Sequence, residues 1–238
     1  MSEILVSAAA SLTEAFGEIG RAFTRENPSV RVRYNFASSG ALLQQIRQGA
    51  PVDVFASAAA REMDALARAG HIETNMRIIF AGNRLALIAP ARSPLRGSPL
   101  RGWADLATPA VRRIAISNPD SVPSGRYARE TLQKRGLWSA VLPKAVLGEN
   151  VRQTLTYVAG GDVDAGIVFA TDARTEGRRV RIVATATPGR DHAPIIYPAA
   201  VVRGAPNPPA ARRFVRFLRG AAAQRVLARH GFLPAGKG

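Results

Sequence analysis

The feature that most constrains this chain is a junction that occurs four times, in which a short apolar strand passes through small residues directly into a helix. A helix start presents unpaired N–H groups and the positive end of the helix dipole. Small side chains at that point let another molecule approach the backbone. The repetition therefore predicts a seat for an anion. The junctions lie at residues 7–12, 36–41, 122–127 and 147–152.

The serines of the first two junctions are candidate caps and candidate donors. Ser11 and Glu14 have the three-residue spacing of a capping box. We therefore expect Ser11 to be the N-cap of a helix over residues 12–26. In the second junction Ser39 is placed either to cap the following helix or to donate to a ligand.

The last two junctions offer backbone donors. Ser124 stands at the start of a helix that echoes the start after Ser39. Asn150 is a favoured N-cap residue, and the N–H groups of Val151 and Arg152 are expected to point outward from that helix.

The order of elements predicts an α/β protein of two lobes. Strands alternate with helices, which is typical of sheets with parallel strands. A change in composition near residue 82 and a later return predict one lobe of residues 1–82 with 198–238, and a second lobe of residues 83–197. Two crossing segments suit a hinge-bending clamp. Ligands of open α/β sheets bind beyond the carboxyl ends of strands, so the junctions are expected to face the cleft. A loop is expected at residues 93–99.

The strong positive charge does not by itself indicate nucleic acid. The net charge is +16, from 33 basic and 17 acidic residues. In a predicted amphipathic helix over residues 208–230, Arg212, Arg216 and Arg219 line the side opposite Phe214. This pattern favours a solvated helix face over a nucleic-acid patch. We expect long-range attraction of anions and no nucleic-acid partner.

The sequence gives little support for an enzyme or for a metal-binding protein. The chain has no Cys, no Gly-x-Ser-x-Gly elbow and no phosphate-binding glycine loop. Its histidines, His71, His192 and His230, are isolated and lack metal-ligand spacing. We expect neither an enzyme nor a cofactor. About six to eight N–H and hydroxyl donors at helix starts suit a deprotonated tetrahedral oxyanion.

Six motifs in order resemble the molybdate-binding protein of the ABC-type molybdate transporter. They are residues 7–12 (SAAASL), 36–40 (FASSG), 49–55 (GAPVDVF), 122–128 (VPSGRYA), 151–152 (VR) and 166–169 (GIVF). The resemblance implies the two-lobe periplasmic-binding-protein fold of type II, with a hinge of two crossing segments and the ligand in the interlobe cleft.

The resemblance also implies a set of ligand residues. Ser11 and Ser39 would give hydroxyl and backbone donors, and Ser124 and Val151 would give backbone N–H groups. Phe169 stands where the family often has a Tyr, and it has no hydroxyl to donate. The pocket then has fewer bonds, or a replacement donor comes from water or from one of three tyrosines, Tyr127, Tyr157 or Tyr197.

The implied ligand is molybdate or tungstate, with molybdenum present only as the oxyanion and with no direct protein ligand. The implied partner is a membrane ABC permease, and we expect a monomer in the periplasm after removal of a signal peptide. Two alternatives stay open. One is a binding protein for sulfate or thiosulfate. The other is the effector-sensing domain of a transcription regulator, in which a DNA-binding segment would precede the first strand.

Overall fold

The computed structural model describes residues 2–92 and 100–235, so the loop expected at residues 93–99 lies outside the described part. The strands are β1 (Ser2–Ala9), β2 (Val30–Ala37), β3 (Val54–Ala56), β4 (Ile78–Asn83), β5 (Leu85–Pro90), β6 (Ile114–Ser117), β7 (Ala145–Gly148), β8 (Ala165–Phe169), β9 (Val180–Thr185) and β10 (Ile195–Val201). The helices are α1 (Thr13–Glu26), α2 (Ser39–Arg47), α3 (Ala60–Arg68), α4 (Pro123–Lys134), α5 (Trp138–Val141), α6 (Val151–Gly160), α7 (Ala170–Thr175), α8 (Pro208–Phe217) and α9 (Ala221–Arg229).

The chain divides into two compact units. Unit 1 comprises Met1–Gly82 and Ile195–Gly238, and unit 2 comprises Asn83–Pro194. The return to unit 1 therefore begins at Ile195, slightly before residue 198. Among residues 2–92 and 100–235, every helix is too short or too polar to cross a lipid bilayer.

Unit 1 is built on a mixed sheet with the strand order β2-β1-β3-β10-β4. β1 pairs in parallel with β2 and with β3, whereas β10 is antiparallel to β3. The sheet is not parallel throughout, because β10 returns from unit 2 rather than following a helix. One face is covered by a cluster around Phe55 that includes Leu42, Ile46, Met63 and Leu66 from α2 and α3.

Unit 2 repeats this plan with the strand order β7-β6-β8-β5-β9. β6 pairs in parallel with β7 and β8, while β5 is antiparallel to β8 and β9. In both units the parallel strands place their carboxyl ends at one edge of the sheet, and the following helices begin there.

Two helices differ from the sequence-based expectation. α1 begins at Thr13 and is preceded by a 3-10 turn at Ala10–Leu12. The last predicted helix is two helices, α8 and α9. The chain becomes extended at Gly220, which precedes α9, and this ends the continuous helix.

The two glycines of α1 meet different surroundings and give a matched test of the packing around this helix. The Tyr34 hydroxyl donates to the Phe16 carbonyl at 2.6 Å, and a methyl group added at Gly20 would overlap that hydroxyl. We expect Gly20→Ala to lower the free energy of unfolding by about 1–3 kcal/mol. Gly17→Ala meets only an arginine tip at 3.8 Å and should raise it by about 0.5–1 kcal/mol. Urea unfolding measures both changes, and a stabilising Gly20→Ala would contradict this packing.

Candidate functional site

Unit 1 brings the carboxyl ends of neighbouring strands together. Ala9 of β1 pairs with Ala37 of β2, and Ala8 pairs with Ala56 of β3. Ser11 and Ser39 each follow two residues after the paired alanines, so they leave adjacent strands at the same edge. Both side chains are buried.

Ser11 is not a helix cap, and the predicted capping box with Glu14 is wrong. The 3-10 turn inserts residues before the α-helix, so the N-cap position falls on Leu12, which makes no side-chain cap bond. The Ser11 hydroxyl lies 3.0 Å from the hydroxyl of Tyr197 on β10. Ser11 is therefore held by a tertiary contact within unit 1 rather than by its own helix.

Ser39 keeps a hydroxyl hydrogen, while its neighbour Ser38 caps the helix. Ser38 is the N-cap of α2, and its Oγ accepts from the Ala41 N–H at 3.3 Å. Ser39 is the first residue of α2, and its Oγ accepts from the Ala58 N–H at 3.1 Å. An oxygen that accepts in this way keeps its own hydrogen for another acceptor. The backbone N–H of Ser39 lies in the first turn, where a helix offers no carbonyl to it.

Unit 2 collects the other three candidate residues at the carboxyl ends of β6, β7 and β8. Ser117 of β6 pairs with Gly148 of β7, and β6 also lies beside β8. Ser124 is the second residue of α4, Val151 is the first residue of α6, and Phe169 is the last residue of β8. All three are buried.

The start of α6 is capped as expected, with one correction. Asn150 is confirmed as the N-cap, and its Oδ1 accepts from the N–H groups of Arg152 at 2.9 Å and Gln153 at 3.0 Å. The N–H of Arg152 is thus used by the cap and does not point outward to a ligand. The N–H of Val151, one residue earlier, is the donor that the first turn leaves for another molecule.

An ion pair fixes the same helix start against the next helix. The Arg152 guanidinium lies 3.0 Å from the carboxylate of Asp172 on α7, and the Asp172 side chain is fully buried. Arg152 also donates to the Thr175 hydroxyl at 3.0 Å. The pair therefore anchors the Arg152 side chain against α7.

Phe169 lies beside the aromatic ring of Tyr127. Its ring lies 6.3 Å from that of Tyr127, which lies 5.6 Å from that of His192. Burial lowers the pKa of His192, so this ring is neutral near pH 7. Of the tyrosines considered as replacement donors, Tyr127 lies beside Phe169, whereas Tyr197 lies beside Ser11 in unit 1.

The candidate residues of each unit offer hydrogen-bond donors. In the part of the chain that the structure describes, no group of three or more His, Asp and Glu side chains could hold a metal ion. Backbone N–H groups at helix starts and serine hydroxyls suit an anion.

This pairing of a periplasmic-binding-protein architecture with donor-lined strand ends defines a solute-binding protein. Residues 4–233 match the family of bacterial extracellular solute-binding proteins, and the chain belongs to that family. The family is a non-enzymatic component of transport, which confirms the expectation that the chain is not an enzyme and handles a ligand rather than a cofactor.

The resemblance deduced from the motifs is confirmed by individual relatives. The molybdate-binding protein ModA of Escherichia coli is 37% identical over 233 residues, which cover 97% of this chain and 88% of that protein. ModA of Haemophilus influenzae is 33% identical over 231 residues, which cover 97% of this chain and 90% of that protein.

Solved structures confirm the two-lobe fold. The periplasmic molybdate-binding protein of Azotobacter vinelandii superposes with a TM-score of 0.83 at 24% identity, covering 97% of this chain and 98% of the other. The sulfate-binding protein SubI of Mycobacterium tuberculosis gives a TM-score of 0.82 at 20% identity, covering 100% and 88%. At these sequence identities the two structures show a shared fold only.

Proposed function

We propose that this protein captures molybdate or tungstate for an ABC importer. The observation that carries the proposal is that both units end their parallel strands in buried hydrogen-bond donors. The relatives of 37% and 33% identity, which are named for molybdate binding, support the choice of anion.

The proposed binding set draws donors from each unit. Ser11 and Ser39 supply hydroxyl and N–H donors from unit 1, and Ser124 and Val151 supply backbone N–H groups from unit 2. Each hydrogen bond to a charged partner is worth about 1.5–3 kcal/mol. Several together offset much of the cost of removing a small dianion from water. Donors without a facing carboxylate favour a deprotonated oxyanion, because a protonated one also needs an acceptor.

The partner, the cellular location and the oligomeric state of the protein are also part of the proposal. A solute-binding protein of an ABC importer hands its ligand to a membrane permease, and we propose that this chain does so in the periplasm as a monomer. The high positive charge would raise the local concentration of anions and the rate of capture.

Calorimetry with three oxyanions tests the proposal. We expect molybdate and tungstate to bind one per chain, and sulfate to bind far more weakly. At about 100 times the dissociation constant, molybdate should add about 2.7 kcal/mol to the free energy of unfolding. Stabilisation by sulfate and not by molybdate would instead assign the protein to the sulfate-binding class, whose fold SubI shares.

Two neighbouring serines separate binding from capping. Ser39→Ala removes a donor and should weaken molybdate binding about 10- to 100-fold. Ser38→Ala removes only the N-cap of α2, so it should cost about 1 kcal/mol of stability and leave affinity unchanged. Calorimetry and urea unfolding of both variants give the comparison. Equal affinities of Ser39→Ala and wild type would remove Ser39 from the site.

A substitution at Phe169 adds a hydrogen-bond donor instead of removing one. Phe169→Tyr adds a hydroxyl at the end of β8, and a new bond to the anion should tighten molybdate binding about 10-fold. Tyr127→Phe is the companion variant, because the two rings are in contact. If the Tyr127 hydroxyl already replaces the missing donor, Tyr127→Phe weakens binding and Phe169→Tyr adds nothing. Unchanged affinity in both variants would show that this corner supplies no donor.

A further inference from the structure

A line of buried hydroxyl groups connects the two helix starts of unit 2. The Ser124 Oγ donates to the Ser117 Oγ at 2.8 Å, and the Ser117 Oγ lies 2.8 Å from the Thr154 Oγ1. The Thr154 Oγ1 in turn donates to the Asn150 carbonyl at 3.1 Å. Ser124, Ser117 and Thr154 are completely buried.

The direction of every bond in this hydroxyl line follows from counting hydrogens. A hydroxyl group has one hydrogen to donate. Thr154 gives its hydrogen to the Asn150 carbonyl, so the bond between Ser117 and Thr154 must use the hydrogen of Ser117. Ser124 gives its hydrogen to Ser117. All the hydroxyl hydrogens of the line are therefore used internally, and Ser124 has only its backbone N–H to offer a ligand.

The hydroxyl line spans the distance between α4 and α6 across the end of β6. It starts in the first turn of α4 at Ser124, passes Ser117 at the end of β6, and ends on Asn150, the cap of α6. Glycines allow the elements that it connects to approach each other closely. A methyl group at Gly125 would overlap the Ser117 carbonyl, and one at Gly148 would lie 2.5 Å from the Thr154 Oγ1.

We propose that Ser117 and Thr154 are positioning residues for the anion. By tying α4 to α6, they hold the N–H groups of Ser124 and Val151 at a fixed spacing, so that both can donate to one oxyanion. The inference rests on the proposed function and specifies how unit 2 contributes to it, with backbone donors whose separation is set by a buried hydroxyl line.

Thr154→Val tests the proposal, since it keeps the β-branched shape and removes the hydroxyl. We expect molybdate binding to weaken about 10-fold in calorimetry at a temperature where the unliganded variant is fully folded. Thr156→Val is the matched control, because Thr156 is on the same helix and its hydroxyl donates to the Arg152 carbonyl at 2.9 Å, but it is exposed and outside the line. Thr156→Val should bind like wild type. Thr154→Ser, which restores a hydroxyl, should recover most of the affinity.

A double-mutant cycle adds a readout that a general loss of stability would not produce. Ser117→Ala breaks the same line and should also weaken binding about 10-fold. The double variant Ser117→Ala/Thr154→Val should lose no more than about 10-fold, because residues that act as one network are not additive. Unchanged affinity of Thr154→Val, or a double loss near 100-fold, would overturn the proposal.

The same titrations distinguish this inference from the proposed function. A wild type that binds molybdate, with both single variants unaffected, would end the inference and leave the function standing. A wild type that binds sulfate instead would end the proposed function, and the cycle measured with sulfate then decides the inference. A wild type that binds none of the three anions would overturn both.

Discussion

Parallel pairing of neighbouring strands is the constraint on which every candidate donor depends. β1 runs parallel to β2, and β6 runs parallel to β7, so successive strands end at the same edge and the helices that follow begin there. Helix starts bring N–H groups that their own helix cannot satisfy. Antiparallel neighbours would send alternate strand ends to opposite edges. In each unit the position of the backbone donors is therefore determined by the strand topology, whatever the side chains are.

What donates to each serine then decides what that serine can offer. Ser39 receives the Ala58 N–H and keeps its hydroxyl hydrogen, whereas Ser124 spends its own on Ser117. Two serines at equivalent junctions thus differ in the donors that they keep, since Ser39 has a hydroxyl hydrogen to give and Ser124 has only its backbone N–H. The Ser124 hydroxyl is thus part of the internal bonding of unit 2.

The spacing of residues in the sequence predicts the features that depend on near neighbours in the chain. It fails where contacts between distant residues decide the structure. The strand–helix junctions and the Asn150 cap were visible because each is determined by residues a few positions apart. Ser11 was assigned to a capping box, but its hydroxyl meets Tyr197, 186 residues later in the chain. Whether Ser38 or Ser39 caps α2 depends on a difference of one residue in where the helix begins, and the sequence pattern does not resolve it. Thr154 gave no functional signal, since its spacing indicates only a buried position on α6, and the hydroxyl line needs three elements to meet.

The fold does not select the anion, because a sulfate-binding protein shares it with a TM-score of 0.82. Donors alone favour deprotonated oxyanions but do not distinguish two dianions of the same shape. Selection by the size of the anion must then depend on the spacing between the donors. In unit 2 those donors belong to the backbone, and a rotamer change cannot move them as it moves a flexible side chain. On the proposal made above, the spacing between α4 and α6, which the buried hydroxyl bonds help to fix, therefore contributes to the choice between a larger and a smaller tetrahedral anion.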